Sequence, residues 1–198
     1  MYNPTNRMRY GSEHKASTRR RIVRTASRQI LAQGLAEPGV AGVMKASGLT
    51  VGGFYKHFRN RETLLAEAVD QGFSEYGQQV IATLKQAPPG ERWKEIVRGY
   101  LTLDHCQHPE RGCPIAALAP EIARAAPAVK ERVVSAMNER RKVITEFMPG
   151  ASLPEREKNF SVIFPAMAGA MAVARIMPDV EQKQKVLDSM RDHLLNSF

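Results

Sequence analysis

Cysteine is nearly absent: Cys106 and Cys113 are the two in 198 residues. That is too few for the disulfide framework that staples a small secreted fold, so both read as free thiols. Long apolar runs are missing as well. No stretch of about eighteen residues lacks a charge, which argues against a membrane-spanning helix. The polar start Met1–Gly11 carries Arg7 and Arg9 with no apolar stretch behind them, unlike a secretory signal. The expectation is a cytoplasmic chain without a membrane partner. There is no glycine-rich phosphate loop, no serine-centred nucleophile elbow and no familiar metal spacing. The chain is therefore expected not to be an enzyme and to need no cofactor.

Acidic residues are scarce at one end only. Of the net charge of +9, residues 1–61 hold twelve Lys or Arg against Glu13 and Glu37, and the remainder is close to neutral. A concentrated positive field at one end suits attraction to phosphate, although a solvated basic tail has the same composition.

Few β-branched alternations occur and no repeat is visible, so the chain reads as all-α. Ser17 or Thr18 can cap a first helix with Ile22, Ala26 and Ile30 at steps of four, and Gly34 can end it. Two short segments follow, Val40–Ser47 and Val51–His57, joined by Gly48-Leu49-Thr50. Asn60 opens a long helix whose apolar stripe is Leu65, Val69, Phe73, Tyr76, Val80 and Leu84, broken by Pro88-Pro89-Gly90. Further helices are expected over Glu91–Cys106, Cys113–Ala125, Ala128–Met148, Pro154–Met177 and Val180–Asn196, with Pro165 kinking its helix or delaying its start. The domain expectation is a flexible basic arm over 1–16, a helix-turn-helix domain over 17–61 and a helical domain over 62–198. The helix from about 61 to 86 connects the two domains.

Two short helices about a glycine-containing turn make a helix-turn-helix, whose second helix can fit the DNA major groove. Phe54 and Phe58, spaced i and i+4, share the buried face, while Gly52, Gly53, Lys56 and His57 point away from it. The two glycines leave a bare surface that lets backbone approach base edges, and Thr50, Tyr55, Lys56 and His57 supply donors. Two roles stay open for Tyr55: a groove contact, or ring packing between helices.

The run Ala46-Ser47-Gly48-Leu49-Thr50, then Gly53-Phe54-Tyr55-Lys56-His57-Phe58, then Asn60-Arg61-Glu62 before Leu64-Leu65, resembles the TetR family of bacterial repressors over about Thr18–Val69. The resemblance implies a three-helix DNA-binding module, a larger C-terminal domain with an inducer pocket, and a homodimer made mainly by the last two long helices. It also implies that Thr50, Gly53, Tyr55, Lys56 and His57 touch double-stranded operator DNA, palindromic to match the dimer, and that Arg61 holds a phosphate. Gly39 stands where the family often has a Ser or Thr cap. Gly52 and Gly53 together make the reading helix soft, at about 1 kcal/mol of helix propensity each. A nonspecific architectural DNA-binding protein remains the alternative.

In the C-terminal half Trp93, Tyr100, Phe164, Met167 and Met171 are candidates for lining the pocket of an unknown small-molecule inducer, or for ordinary core. The small residues from Ala166 to Ala174 and the stripe Leu187, Met190 and Leu194 suit either dimerisation or internal packing. Cys106 and Cys113 lie in a local cluster with His105 and His108. Its Cys-Gln-His followed by Gly-Cys is similar to a TetR subgroup that responds to electrophiles and oxidants through cysteine. Structural thiols, thiol sensing with a pKa lowered by polar neighbours, and a zinc site of unfamiliar spacing all remain open.

Overall fold

Apolar residues at steps of three and four put one face of each long segment inside, and the computed structural model is helical throughout its described residues: 4–37, 39–88 and 90–198, with side chains from residue 13 onward. The helices are α1 (Pro4–Gln33), α2 (Val40–Ala46), α3 (Arg61–Gln86), α4 (Arg92–Tyr100), α5 (Leu103–Gln107), α6 (Pro114–Arg124), α7 (Pro127–Thr145), α8 (Leu153–Ile176) and α9 (Val180–Ser197). Two 3-10 segments, Val51–Lys56 and Pro109–Arg111, complete the order.

Helical backbone begins at Pro4, so the cap expected at Ser17 or Thr18 is not there. Ser17 instead donates back to the His14 carbonyl within the helix, and Thr18 is buried. Gly34 does end α1, at a φ of +94° that disfavours a side chain. Asn60 caps α3 by accepting from the Thr63 amide at 2.9 Å. The single helix expected over 91–106 is two, because Thr102 caps α5 by accepting from the His105 amide. Pro165 neither delays nor ends α8, whose helical backbone continues past it.

Two apolar clusters form the interior. The first joins Ile22, Ile30, Met44, Phe54, Phe58, Leu64 and Val69 to Leu118 and Ile122 of α6 and to Val129 and Val133 of α7. The second gathers Leu84, Trp93, Val97, Tyr100, Ile163, Met171, Leu187 and Leu194. Helices α3 and α6 supply residues to both. The N-terminal module is thus seated on the C-terminal helices, and its core does not stop near residue 61.

Leu187 and Leu194 are spent on internal packing and only Met190 of that stripe is partly open, so of the two roles open to the stripe the leucines take the internal one. What α8 leaves outside is a different line: Val162, Pro165, Gly169, Val173 and Ile176, with Ile176 76% exposed. These recur at helical spacing and so share one face. By length and composition α8 is also the one described helix apolar enough to cross a membrane, with 28% of its best window buried. The sequence reading missed this because Arg175 interrupts the run near its end. In the fold the other side of α8 packs against α9, α6 and α7.

Candidate nucleic-acid interface

The turn between the short helices is set by backbone bonds. The Ser47 and Leu49 amides donate to the Val43 and Met44 carbonyls at 2.9 Å each, and Gly48 takes a φ of +70°. Extended Thr50 then starts the second segment. With Gly52 and Gly53 inside it, that segment is a 3-10 helix over Val51–Lys56 rather than the expected α-helix. Phe54 and Phe58 hold it down, both nearly fully buried with ring centroids 5.5 Å apart. Arg19 clamps its end: the guanidinium donates to the His57 carbonyl and to the Glu67 carboxylate, and lies 4.2 Å from the Phe58 ring centroid. Nothing in the sequence pattern marked Arg19 apart from the other basic residues of α1.

Outward from this anchor, Thr50, Gly52 and Lys56 are exposed and Gly53 is partly open. Tyr55 is 78% exposed, which removes its reading as a packing residue. A Cβ at Gly52 would meet nothing within 4 Å, whereas one at Gly53 would touch the Met44 methyl at 3.5 Å. His57 departs from the expectation: it is half-buried, its Nδ1 has no partner, and burial with Lys15, Arg19 and Lys56 nearby holds its pKa below the usual histidine value. The cations around the ring thus disfavour its protonated form. Arg61 is also committed inward, donating to the carbonyls of Leu35 at 2.6 Å and Ala36 at 2.9 Å. An open groove joins Thr50, Gly53, Tyr55, Lys56 and His57 to His14, Lys15 and Arg21 of α1. Lys15 and Arg21 belong to the basic charge of the N-terminal end, whereas His14 adds nothing to that count.

A mostly apolar cavity of about 440 Å³ lies between α3, α7 and α8, with Cys113 and Ile115 from the start of α6. Its walls include Phe73, Tyr76, Val80, Ile144, Phe160 and Phe164. A smaller cavity on the other side of Tyr76, Val80 and Phe164 is lined by Tyr100 and Met167. Of the five pocket candidates, Phe164, Tyr100 and Met167 thus line cavity wall. Trp93 and Met171 are core side chains that line none of the cavities described, which corrects their assignment to the pocket. Tyr76 and Val80 belong to the apolar stripe of α3, and with Phe73 that stripe forms cavity wall.

Both thiols are buried, and burial pushes each pKa up, outweighing Arg175 and the helix start at Cys113. This is opposite to the lowered values a resting sensor thiol was expected to have. His105 is likewise a structural side chain. Its Nδ1 donates to the Tyr100 carbonyl at 2.7 Å while its Nε2 accepts the Cys113 amide at 3.0 Å. Burial, in spite of that bond to Tyr100, lowers its pKa to about 4. With both ring nitrogens bonded to backbone, His105 has no lone pair left for zinc. Among the described residues no three His, Cys, Asp or Glu side chains gather as metal ligands.

Residues 22–68 match the family model for bacterial regulatory proteins of the tetR family. Solved structures similar to the whole chain include a TetR regulator from Chloroflexus aurantiacus, with a TM-score of 0.76, 22% identity, and coverage of 92% of this chain and 96% of that one. A TetR-family regulator from Cytophaga hutchinsonii has a TM-score of 0.75 at 18% identity, covering 92% and 96% of the two chains. NemR from E. coli, in its reduced form, has a TM-score of 0.70 at 19% identity, covering 91% and 96%. A search of curated proteins found no significant match. Residues 22–68 thus match the N-terminal module of the tetR family, and the chain as a whole shares the all-α fold of these solved structures.

Proposed function

We propose that this protein is a homodimeric repressor that binds a palindromic duplex operator, acts in the cytoplasm without catalysing a reaction, and releases DNA when a small molecule enters the C-terminal cavity. The observation that carries the DNA reading is the pairing of exposed Tyr55 and Lys56 with the α1 cations Lys15 and Arg21 along one groove. Thr50, Tyr55 and Lys56 provide donors to bases and phosphates, and Gly52 and Gly53 admit the backbone close to base edges. His57 lies on the same groove as Tyr55 and Lys56. Arg61 acts by holding the turn after α1, with any phosphate contact secondary to that. The apolar line from Val162 to Ile176 supports a second copy packing on α8, which places two readers on one duplex face.

Fluorescence anisotropy with a fragment of the protein's own promoter tests this against scrambled duplex at moderate salt. The promoter should bind at least 10³-fold more tightly. Lys56→Ala should weaken both and reduce the salt slope by about 1. Equal affinity for the two duplexes would make the protein an architectural DNA binder instead.

A further inference from the structure

One guanidinium in the C-terminal domain borders apolar space without a carboxylate to neutralise it. Arg140 of α7 is half-buried at the wall of the 440 Å³ cavity. Its Nε donates to the Phe73 carbonyl at 2.8 Å, its Nη1 donates to the Ala136 carbonyl at 3.0 Å, and the group lies 5.6 Å from the Phe73 ring centroid. Carbonyls and a ring face satisfy donors but leave the unit charge standing. Among the described residues no Asp or Glu oxygen lies within 4.0 Å of it. Its neighbour Arg141, by contrast, is paired with Glu157 at 3.4 Å.

The position is built into the helix opposite. A Cβ at Gly77 would stand 3.2 Å from Arg140 Nε, so the glycine leaves α3 the room to receive the guanidinium. Around it Phe73, Val80, Ile144, Phe160, Phe164 and Ala168 make the cavity wall apolar. Such walls screen charge poorly, so an unpaired cation there discriminates strongly between ligands by the sign of their charge. The volume falls in the range of small-molecule sites.

We propose that this cavity takes a small amphipathic anion, with an apolar body against α3 and α8 and a single carboxylate-type head on Arg140. The proposal rests on the reading above that the cavity is the effector site, and it adds the ligand's chemical class. A neutral ligand leaves the guanidinium uncompensated, and a cationic one is repelled by it.

Isothermal titration calorimetry of the full-length protein with decanoate, decanol and decylamine, below their micelle concentrations, tests it. Decanoate should bind at least tenfold more tightly than decanol, and decylamine should give no binding heat. In Arg140→Met the acid and the alcohol should come within twofold of each other, while Arg140→Lys and Arg141→Gln should keep the preference for the acid. Should Arg140→Met not fold, Arg140→Lys and the three probes on the wild type still decide. Equal or tighter binding of decanol to the wild type, no binding of either, or an acid preference surviving in folded Arg140→Met overturns the proposal. Operator affinity is measured on the same preparations. Intact operator binding without an acid preference ends this proposal alone, whereas absent operator binding ends the regulator reading whatever the probes do.

Discussion

His105 makes stability depend on pH in a direction and range that the structure sets. Its folded pKa of about 4 lies below the ordinary histidine value of 6.5, because burial disfavours the imidazolium. The unfolded chain therefore takes up the proton first as pH falls. Stability from this group is complete above pH 6.5, declines as pH drops below that, and levels off beneath about 4. Between pH 7 and 5.5 the loss works out at about 1 kcal/mol. Urea unfolding at fixed protein concentration over that interval should show this loss in the wild type and not in His105→Gln. The variant is less stable overall, since its geometry does not reproduce the two buried bonds to Tyr100 and Cys113, so the comparison lies in the pH slope. The half-buried His57 and the carboxylates are common to both proteins and cancel. Equal slopes would mean that His105 is not held neutral. A charged imidazole beside Cys113 would then restore the case for thiolate, so the measurement bears on the cysteines as well as on the fold.

Gly52→Ala should leave the melting temperature unchanged or raise it, since its Cβ meets nothing within 4 Å, yet should weaken promoter binding at least tenfold by anisotropy; unaltered affinity would place Gly52 outside the DNA contact. Ile176→Asp puts a charge on the exposed line of α8 and should convert the proposed dimer to monomer in sedimentation analysis, with no effect if the second copy packs elsewhere. Both thiols should react with N-ethylmaleimide at pH 7 at least tenfold more slowly than free cysteine, because each is buried with a raised pKa. Rapid labelling of the folded protein would show that one of them is reached as a thiolate.

Periodicity and turn chemistry made the helices and the helix-turn-helix legible. Phe54 and Phe58, Gly34, Gly48 and Asn60 act as local arguments require, because each role depends on neighbours a few residues away. Roles decided by distant partners were not legible. Arg61 looks like a phosphate ligand in its motif, but its guanidinium is held by carbonyls more than twenty residues earlier. Trp93 and Met171 match cavity wall in composition and are core because other helices cover them. Leu187 and Leu194 show the same limit, since a periodic stripe marks a buried face without saying which molecule buries it. For Cys113, position at a helix start argued for a low pKa, and complete burial, invisible in the sequence, reversed the sign.

Helix α6 connects the cavity to the reader physically. Its start supplies Cys113 and Ile115 to the cavity wall, and two turns on Glu121 accepts the Leu35 amide at 2.6 Å. From the opposite side Arg61 donates to the Leu35 and Ala36 carbonyls, so the turn between α1 and α2 is clasped by both parts of the molecule. A ligand that shifts α6 must strain or break the Glu121 bond, and a bond to a charged group is worth roughly 1.5–3 kcal/mol. That sets the ceiling on coupling through this contact at roughly 10- to 150-fold in operator affinity. Glu121→Ala, which touches neither DNA nor cavity, should weaken operator binding within that limit and speed amide exchange at Leu35. Glu121→Gln keeps an acceptor and should lie between the two. If Leu35 exchanges faster in Glu121→Ala while operator affinity stays that of the wild type, the clasp holds the turn without carrying the signal, and the route from cavity to reader must run through α3 instead.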